Sequence, residues 1–95
     1  LAILADKDIP AIARALVPLA EQTIVTRTAH PRAAAPETIL AALPVGARAA
    51  TAPSVAEALE VARAQAGPDD LICVTGSLSA AAEARTALGR AVESD

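Results

Sequence analysis

The sequence predicts an α/β fold of the Rossmann-like kind, in which a mostly parallel sheet lies between layers of helices. Apolar segments of strand length alternate along the chain with segments of helical period, and the links between them are short. Such strand–helix–strand units join into a parallel sheet through right-handed crossovers. Residues 71–75 are the clearest predicted strand, because Leu-Ile-Cys-Val-Thr lacks the polar alternation of a half-exposed strand.

The first half of the chain contains two predicted strands and two predicted helices. Residues 1–4 are apolar and predict the end of a buried strand, and residues 23–26 predict a second strand. Asp8 is expected to cap a helix that Pro18 ends or kinks. A shorter helix is expected to begin at Pro36.

The second half repeats this alternation. Residues 48–51 predict a short edge strand. Ser54 and Glu57 have the spacing of a capping box, which predicts the start of a helix that Gly67 ends as a C′ glycine. After the strand at residues 71–75, a last helix is expected from about Leu78 to Val92.

Composition narrows the class of protein. The 95 residues suit one small domain, and a net charge of −3 with scattered basic residues does not indicate a nucleic-acid partner. No apolar run is long enough to cross a bilayer, and the single cysteine, Cys73, can form no internal disulfide, so we expect a cytoplasmic location. Cys73 lies within a predicted strand and is expected to be buried and inert.

The residue types that the chain lacks indicate a partial domain. There is no Met, Phe, Tyr or Trp, so a core can use only aliphatic side chains. Aromatic side chains bury the most area per residue, and a domain this short has little stability without them. We therefore expect residues 1–95 to form a single partial domain that depends on further sequence.

The turn Thr75-Gly76-Ser77 is the first candidate binding site. Gly76 could bring its backbone close to a ligand, and Ser77 lies where the next helix exposes unpaired N–H groups. The hydroxyl and these N–H groups could hold a carboxylate or a phosphate. Alternatively, this is a plain strand-to-helix turn in which Ser77 acts only as the N-cap.

The turn Asp6-Lys7-Asp8 is the second candidate. It follows another predicted strand, so in a parallel sheet it should face the same side as Gly76. Lys7 could pair with an anionic ligand, and Asp6 or Asp8 could position it. For Asp8, helix capping is the favoured role.

The other polar residues are weaker candidates for a binding or catalytic site. His30 and Arg32 could form an acid or phosphate site, but a lone histidine in a Pro-rich loop is expected to be solvated. The chain contains no dinucleotide-binding glycine motif, no Walker lysine motif and no serine nucleophile elbow. We therefore expect no catalytic residue and no metal ligand in this chain.

Four sequence blocks, in this order, carry a family resemblance. They are L-A-D-K-D-I at residues 4–9, T-R leading to P-R-A within residues 26–33, S-V-A-E-A-L at residues 54–59 and D-D-L-I-C-V-T-G-S-L at residues 69–78. Together they resemble the C-terminal domain of bacterial folylpolyglutamate synthase, which is often bifunctional as dihydrofolate synthase and belongs to the Mur ligase superfamily.

The resemblance implies an ATP-dependent ligase. A carboxylate of folate or dihydropteroate is phosphorylated, the amine of L-glutamate attacks the acyl phosphate, and phosphate leaves. The resemblance also implies that ATP and Mg²⁺ are held mainly by an N-terminal ATPase domain, over which the C-terminal domain closes. The parent enzyme is expected to be cytoplasmic and monomeric, without a nucleic-acid or membrane partner, and the isolated chain is expected to be inactive.

Site residues follow from the same resemblance. Ser77, with the Leu78 N–H, is similar to a contact with the incoming glutamate, and Lys7 is similar to a lysine that related amide ligases place near the amino-acid carboxylate. Asp6 and Gly76 are neighbouring loop candidates. A cation and a helix N-terminus suit a dianionic amino acid.

The chain also departs from the family pattern, and two alternatives stay open. Family members usually have Gly at the position of Ala2, Tyr at that of Ser79 and Gly at that of Ala82.

The first alternative function is another Mur-type ligase, such as a cell-wall peptide ligase. The second is a non-catalytic α/β ligand-binding module, which predicts a complete sheet, whereas a ligase domain of this kind predicts an open apolar sheet edge.

Overall fold

The computed structural model describes residues 1–89 and has an α/β fold. Its elements, in chain order, are α1 (Ile9–Leu16) with a 3₁₀ extension (Val17–Leu19), β1 (Thr23–Val25), α2 (Pro36–Ala41), β2 (Ala49–Thr51), α3 (Val55–Gln65) and α4 (Leu78–Ala87). The predicted alternation of strands and helices is confirmed. Within the described part of the chain, no helix is both long and apolar enough to cross a membrane.

The sheet is parallel, as predicted, but its strands are short. Strand β1 pairs in parallel with β2. On the other side of β1, the Leu1 nitrogen donates to the Ile24 carbonyl at 2.8 Å, and the Leu1 carbonyl accepts from the Thr26 N–H at 2.9 Å. The Ala2 N–H then donates to the Thr75 carbonyl at 3.3 Å. The spatial order is therefore β2, β1, residues 1–2 and residue 75.

Residues 1–4 do not form a continuous strand, although their predicted burial is confirmed. Ala2 is 2% exposed and Ile3 is 1% exposed. The Ile3 carbonyl accepts from the Ala34 N–H at 2.9 Å, and Leu4 forms an antiparallel bridge with Ala33. The segment therefore leaves the parallel ladder after Ala2 and pairs with the loop that follows β1.

The predicted central strand at residues 71–75 is wrong. The segment has no strand assignment, Leu71 is 90% exposed and Ile72 is 37% exposed. Cys73, expected to be buried, is exposed. A run of apolar β-branched residues reflects strand propensity, but burial depends on neighbours that cover both faces. Here the backbone contact with the sheet is the single bond between Ala2 and Thr75.

A cleft with a mixed polar and apolar lining lies beside this segment. The cleft has a volume of about 700 Å³ and lies between residues 69–75, the first residues of the chain, α1 and α3. Leu71, Val74 and Leu59 are among the residues that line it. The exposed side chains of Leu71 and Ile72 agree with the open apolar edge that the ligase hypothesis predicts.

The helix starts agree with the sequence prediction. The Asp8 carboxylate accepts from the Ala11 N–H at 3.2 Å and caps α1. The Ser54 hydroxyl accepts from the Glu57 N–H at 3.2 Å and caps α3. The Glu57 carboxylate accepts from the Ser54 hydroxyl, also at 3.2 Å, so the reciprocal contact is between side chains.

The ends of the helices agree with the sequence prediction only in part. Helix α1 ends at Leu16, close to Pro18 as predicted, and the chain continues as a 3₁₀ turn. Helix α3 ends at Gln65 with Ala66 as its C-cap, so Gly67 stands at C′ as predicted, although it lacks the positive φ usual for a glycine there. The Gly67 N–H donates to the Asp70 carboxylate at 2.7 Å. Helix α4 ends at Ala87, and its predicted end at Val92 lies outside the described residues.

Two aliphatic clusters form the core. The first joins α1, α2 and β1, and the second joins α3, α4 and residue 74. Strand β1 contacts both α2 and α3, so it connects the two clusters. Their fully or nearly buried members are Ile3, Ile9, Val25, Ala34 and Ile39 in the first cluster and Val55, Leu59 and Ala84 in the second.

Candidate functional site

Three segments meet at the carboxyl end of β1, which we call the rim: the Ala5 N–H donates to the Arg32 carbonyl, and the Ser79 hydroxyl donates to the Thr28 hydroxyl. Residues 5–8 follow the first parallel segment, residues 26–34 follow β1, and residues 76–77 follow residue 75 and lead into α4. The carboxyl ends of parallel segments emerge on the same side, which is where open α/β sheets bind ligands. The predicted candidate residues lie on two of these segments.

Gly76 has a φ of 107°, a conformation that L side chains rarely adopt. A Cβ at this position would collide with the Ala2 carbonyl oxygen and lie 3.0 Å from a methyl group of Leu1. The close backbone approach that the glycine permits is therefore made to Ala2. This contact sets the position of the turn that leads to Ser77.

Ser77 is the N-cap of α4. Its hydroxyl oxygen accepts from the Ala80 N–H at 3.2 Å, so the predicted capping role is confirmed. The same hydroxyl lies 3.3 Å from the Ser79 hydroxyl. Leu78 is the first residue of α4, and its side chain is 90% exposed. Its N–H belongs to the first turn, where the helix dipole favours negative charge.

The carboxylates beside Lys7 have other partners. Asp8 caps α1, and Asp6 lies 3.7 Å from the Arg32 guanidinium in an ion pair whose side chains are 48% and 66% exposed. Such exposed pairs contribute little stability. Lys7 is exposed, and among residues 1–89 it has no ion pair of its own. The suggested positioning of Lys7 by Asp6 or Asp8 is therefore not observed.

His30 belongs to a local turn in the loop after β1. The imidazole Nδ1 accepts from the Arg32 N–H at 3.0 Å, and the His30 N–H donates to the Thr28 hydroxyl at 3.2 Å. The residue is half-buried, which differs from the expectation of a solvated histidine. Arg32 itself is exposed, and its guanidinium lies beside the turn that carries Lys7.

The loop after β1 connects the two candidate turns. The Ala5 N–H donates to the Arg32 carbonyl at 2.6 Å, which attaches the loop to the Lys7 turn. At its other end, the Ser79 hydroxyl donates to the Thr28 hydroxyl at 3.2 Å, and Glu83 accepts from the Ala29 N–H at 2.8 Å. Within residues 1–89, no hydrogen bond or ion pair joins Lys7 directly to Ser77.

Sequence reasoning missed the contacts of Thr28, Ser79 and Glu83. Ser79 and Glu83 are four residues apart, which places both on one face of α4. A weak signal was available, since Thr28 follows a strand on the predicted rim and Ser79 departs from the family pattern. The partners lie 51 residues apart for Ser79 and 54 residues apart for Glu83, so no local pattern pairs them.

The rim offers cations, hydroxyls and backbone N–H groups, which suit a small carboxylate ligand. It does not offer a site that fits Mg²⁺, because residues 1–89 contain no cluster of three or more His, Cys, Asp or Glu side chains that could hold a metal ion. No step involving the metal is therefore assigned to the side chains described here.

Comparison with known families decides the identity of the fold. A family model described as the Mur ligase, glutamate ligase domain matches residues 1–78. The chain belongs to this family. No curated protein and no solved structure gave a significant match.

Membership in the Mur ligase family indicates the general type of reaction. Mur ligases are ATP-dependent amide ligases that act on small molecules and generally use Mg²⁺, and membership in the family indicates an ATP-dependent amide ligase in general. The matched region contains both candidate turns and ends at Leu78, the first residue of α4. The Rossmann-like parallel arrangement agrees with the prediction from sequence.

Proposed function

We propose that the protein is a folylpolyglutamate synthase or dihydrofolate synthase, an ATP-dependent ligase that adds L-glutamate to folate or dihydropteroate. Residues 1–95 form part of its glutamate-ligase domain. One observation carries the proposal: the Mur ligase family match includes both the D-K-D turn and the V-T-G-S-L turn. The resemblance of these two turns to folylpolyglutamate synthases favours folate over other acids.

The chemistry proceeds through an acyl phosphate. A carboxylate of the folate or dihydropteroate is phosphorylated with ATP as the donor, the glutamate amine attacks the acyl carbon, and phosphate leaves. ATP and Mg²⁺ are held mainly by the N-terminal ATPase domain that we propose for the parent enzyme. The residues of this chain bind and orient the amine-bearing substrate.

Three groups bind the glutamate in this proposal. The Ser77 hydroxyl and the Leu78 N–H, at the start of α4, receive one carboxylate. The Lys7 ammonium contributes a mobile positive charge, which fits its exposed position and its lack of an ion pair within residues 1–89. Asp6 and Gly76 act indirectly, since Asp6 pairs with Arg32 and Gly76 places the turn against Ala2.

A cell-wall ligase of the same family is the main competing function. It uses the same acyl phosphate chemistry with a different acid and a different amine, and the family match includes it. The non-catalytic module is less well supported. It predicts a closed sheet, whereas Leu71 is 90% exposed at an open apolar edge.

A substrate comparison tests the proposal. The full-length protein is incubated with ATP and Mg²⁺ and with one of two substrate sets. The first set is dihydropteroate or a reduced folate with L-glutamate, and the second is a nucleotide-linked cell-wall peptide precursor with a mixture of amino acids as candidate amines. We expect phosphate release only with the pterin acids, and a product heavier by one glutamyl residue. L-Aspartate in place of glutamate is the matched control. Activity confined to the cell-wall precursor would replace the proposed function with the competing one.

A further inference from the structure

Three hydroxyl groups form a relay from the loop after β1 to the start of α4. Ser79 donates to the Thr28 oxygen at 3.2 Å, and the Ser77 and Ser79 oxygens are 3.3 Å apart. A serine hydroxyl has only one proton. Since Ser79 donates its proton to Thr28, Ser77 must be the donor in the bond between the two serines.

The Ser77 hydroxyl has one partner as a donor and one as an acceptor. Its oxygen accepts from the Ala80 N–H at 3.2 Å, and its proton is directed at Ser79. Thr28 is 3% exposed, and Ser77 and Ser79 are half-buried, so the relay is partly shielded from water. A carboxylate that approaches Ser77 must therefore displace Ser79 as the acceptor of the Ser77 proton.

We propose that Ser79 is a positioning residue that holds the Ser77 hydroxyl in a resting orientation, directed away from the incoming substrate. Thr28 fixes Ser79 by accepting its proton, and the His30 N–H donates to the same Thr28 oxygen at 3.2 Å. The effect on catalysis rests on the proposed function, in which Ser77 binds glutamate. The relay itself is independent of that function and can be tested without a substrate.

Steady-state kinetics of the full-length enzyme test the effect on binding. Ser79→Ala removes the competing acceptor, so we expect the KM for glutamate to fall by roughly two- to tenfold, the range that one net hydrogen bond supports. The kcat and the KM for ATP should not change. Ser79→Thr keeps the hydroxyl and should behave as the wild type. Thr86→Ala, which removes an exposed hydroxyl elsewhere on α4, is the matched control.

A double mutant shows whether Ser79 acts through Ser77. In the Ser77→Ala background, Ser79→Ala should have no further effect on the KM for glutamate. The proposal is overturned if Ser79→Ala raises this KM or leaves it unchanged, or if its effect persists without the Ser77 hydroxyl.

Amide chemical shifts test the relay apart from the proposed function. In the 95-residue chain, Ser79→Ala should move the amide resonance of His30, which donates to the Thr28 end of the relay, while Ser79→Thr and Thr86→Ala should leave it in place. An unmoved His30 amide in Ser79→Ala would refute the relay. If the His30 amide moves but Ser77→Ala leaves glutamate kinetics intact, the relay stands and the assignment of Ser77 to glutamate fails.

Discussion

Gly76 lies so close to Ala2 that no side chain could be placed on it. A Cβ would collide with the Ala2 carbonyl oxygen, and the backbone at Gly76 has a φ of 107°. One residue earlier, the Thr75 carbonyl accepts from the Ala2 N–H at 3.3 Å. The turn that carries Ser77 is therefore held against the start of the chain by a backbone approach that only glycine permits.

Replacing Gly76 by alanine should lower the free energy of unfolding by about 2–4 kcal/mol, because the left-handed backbone and the collision add. Gly46→Ala is the matched control: its φ is 88°, but no atom lies within 4 Å of the added Cβ. We expect about 1–2 kcal/mol there, from backbone strain alone. Urea denaturation measures both variants. Equal losses of unfolding free energy in the two variants would show that the contact between Gly76 and Ala2 is not structurally important.

The aliphatic core gives a second prediction, at Ile39. This side chain is 0% exposed and packs with Ile3 and Val25 in the first cluster. Ile39→Ala should destabilise the fold by about 2–5 kcal/mol, through lost burial and the cavity left behind. Leu40→Ala, on the same helix but 39% exposed, should cost less than about 1 kcal/mol. Thermal unfolding in which the Leu40 variant is the less stable would contradict this packing.

Lys7 gives a prediction about substrate use. If its ammonium binds a glutamate carboxylate, Lys7→Ala should raise the KM for glutamate by roughly tenfold or more, as expected for a charge-assisted bond. The KM for ATP should change far less. Arg14→Ala removes a cation from the last turn of α1 and should leave the kinetics intact. A Lys7 variant with wild-type glutamate kinetics would limit this lysine to a surface role.

Local signals in the sequence were sufficient to predict where helices α1 and α3 begin. Ser54 and Glu57 predicted the start of α3, and Asp8 predicted the start of α1, because capping depends on residues three positions apart. Residues 71–75 were mispredicted for the opposite reason. Their apolar character indicates strand propensity, but whether a strand is covered on both faces depends on distant segments. The wrong expectation that Cys73 is buried follows from the same error.

The candidate site was predictable only in outline. Both turns were expected at the carboxyl ends of parallel strands, and both lie beside the loop after β1. The contacts of Ser79 with Thr28 and of Glu83 with Ala29 do not, because they join residues more than fifty positions apart. The pairing of Asp6 with Arg32 likewise depends on a bridge between Leu4 and Ala33 that no local pattern reveals.

Substitution of Ser77 tests the central claim, that the start of α4 binds the amino-acid substrate. The measurement is the KM for L-glutamate and the KM for ATP in the full-length Ser77→Ala enzyme, with Ser77→Thr as the variant that retains the hydroxyl. We expect the KM for glutamate to rise by roughly tenfold, the value of a hydrogen bond to a charged group, and the KM for ATP to stay close to that of the wild type. An unchanged KM for glutamate in Ser77→Ala would contradict the assignment.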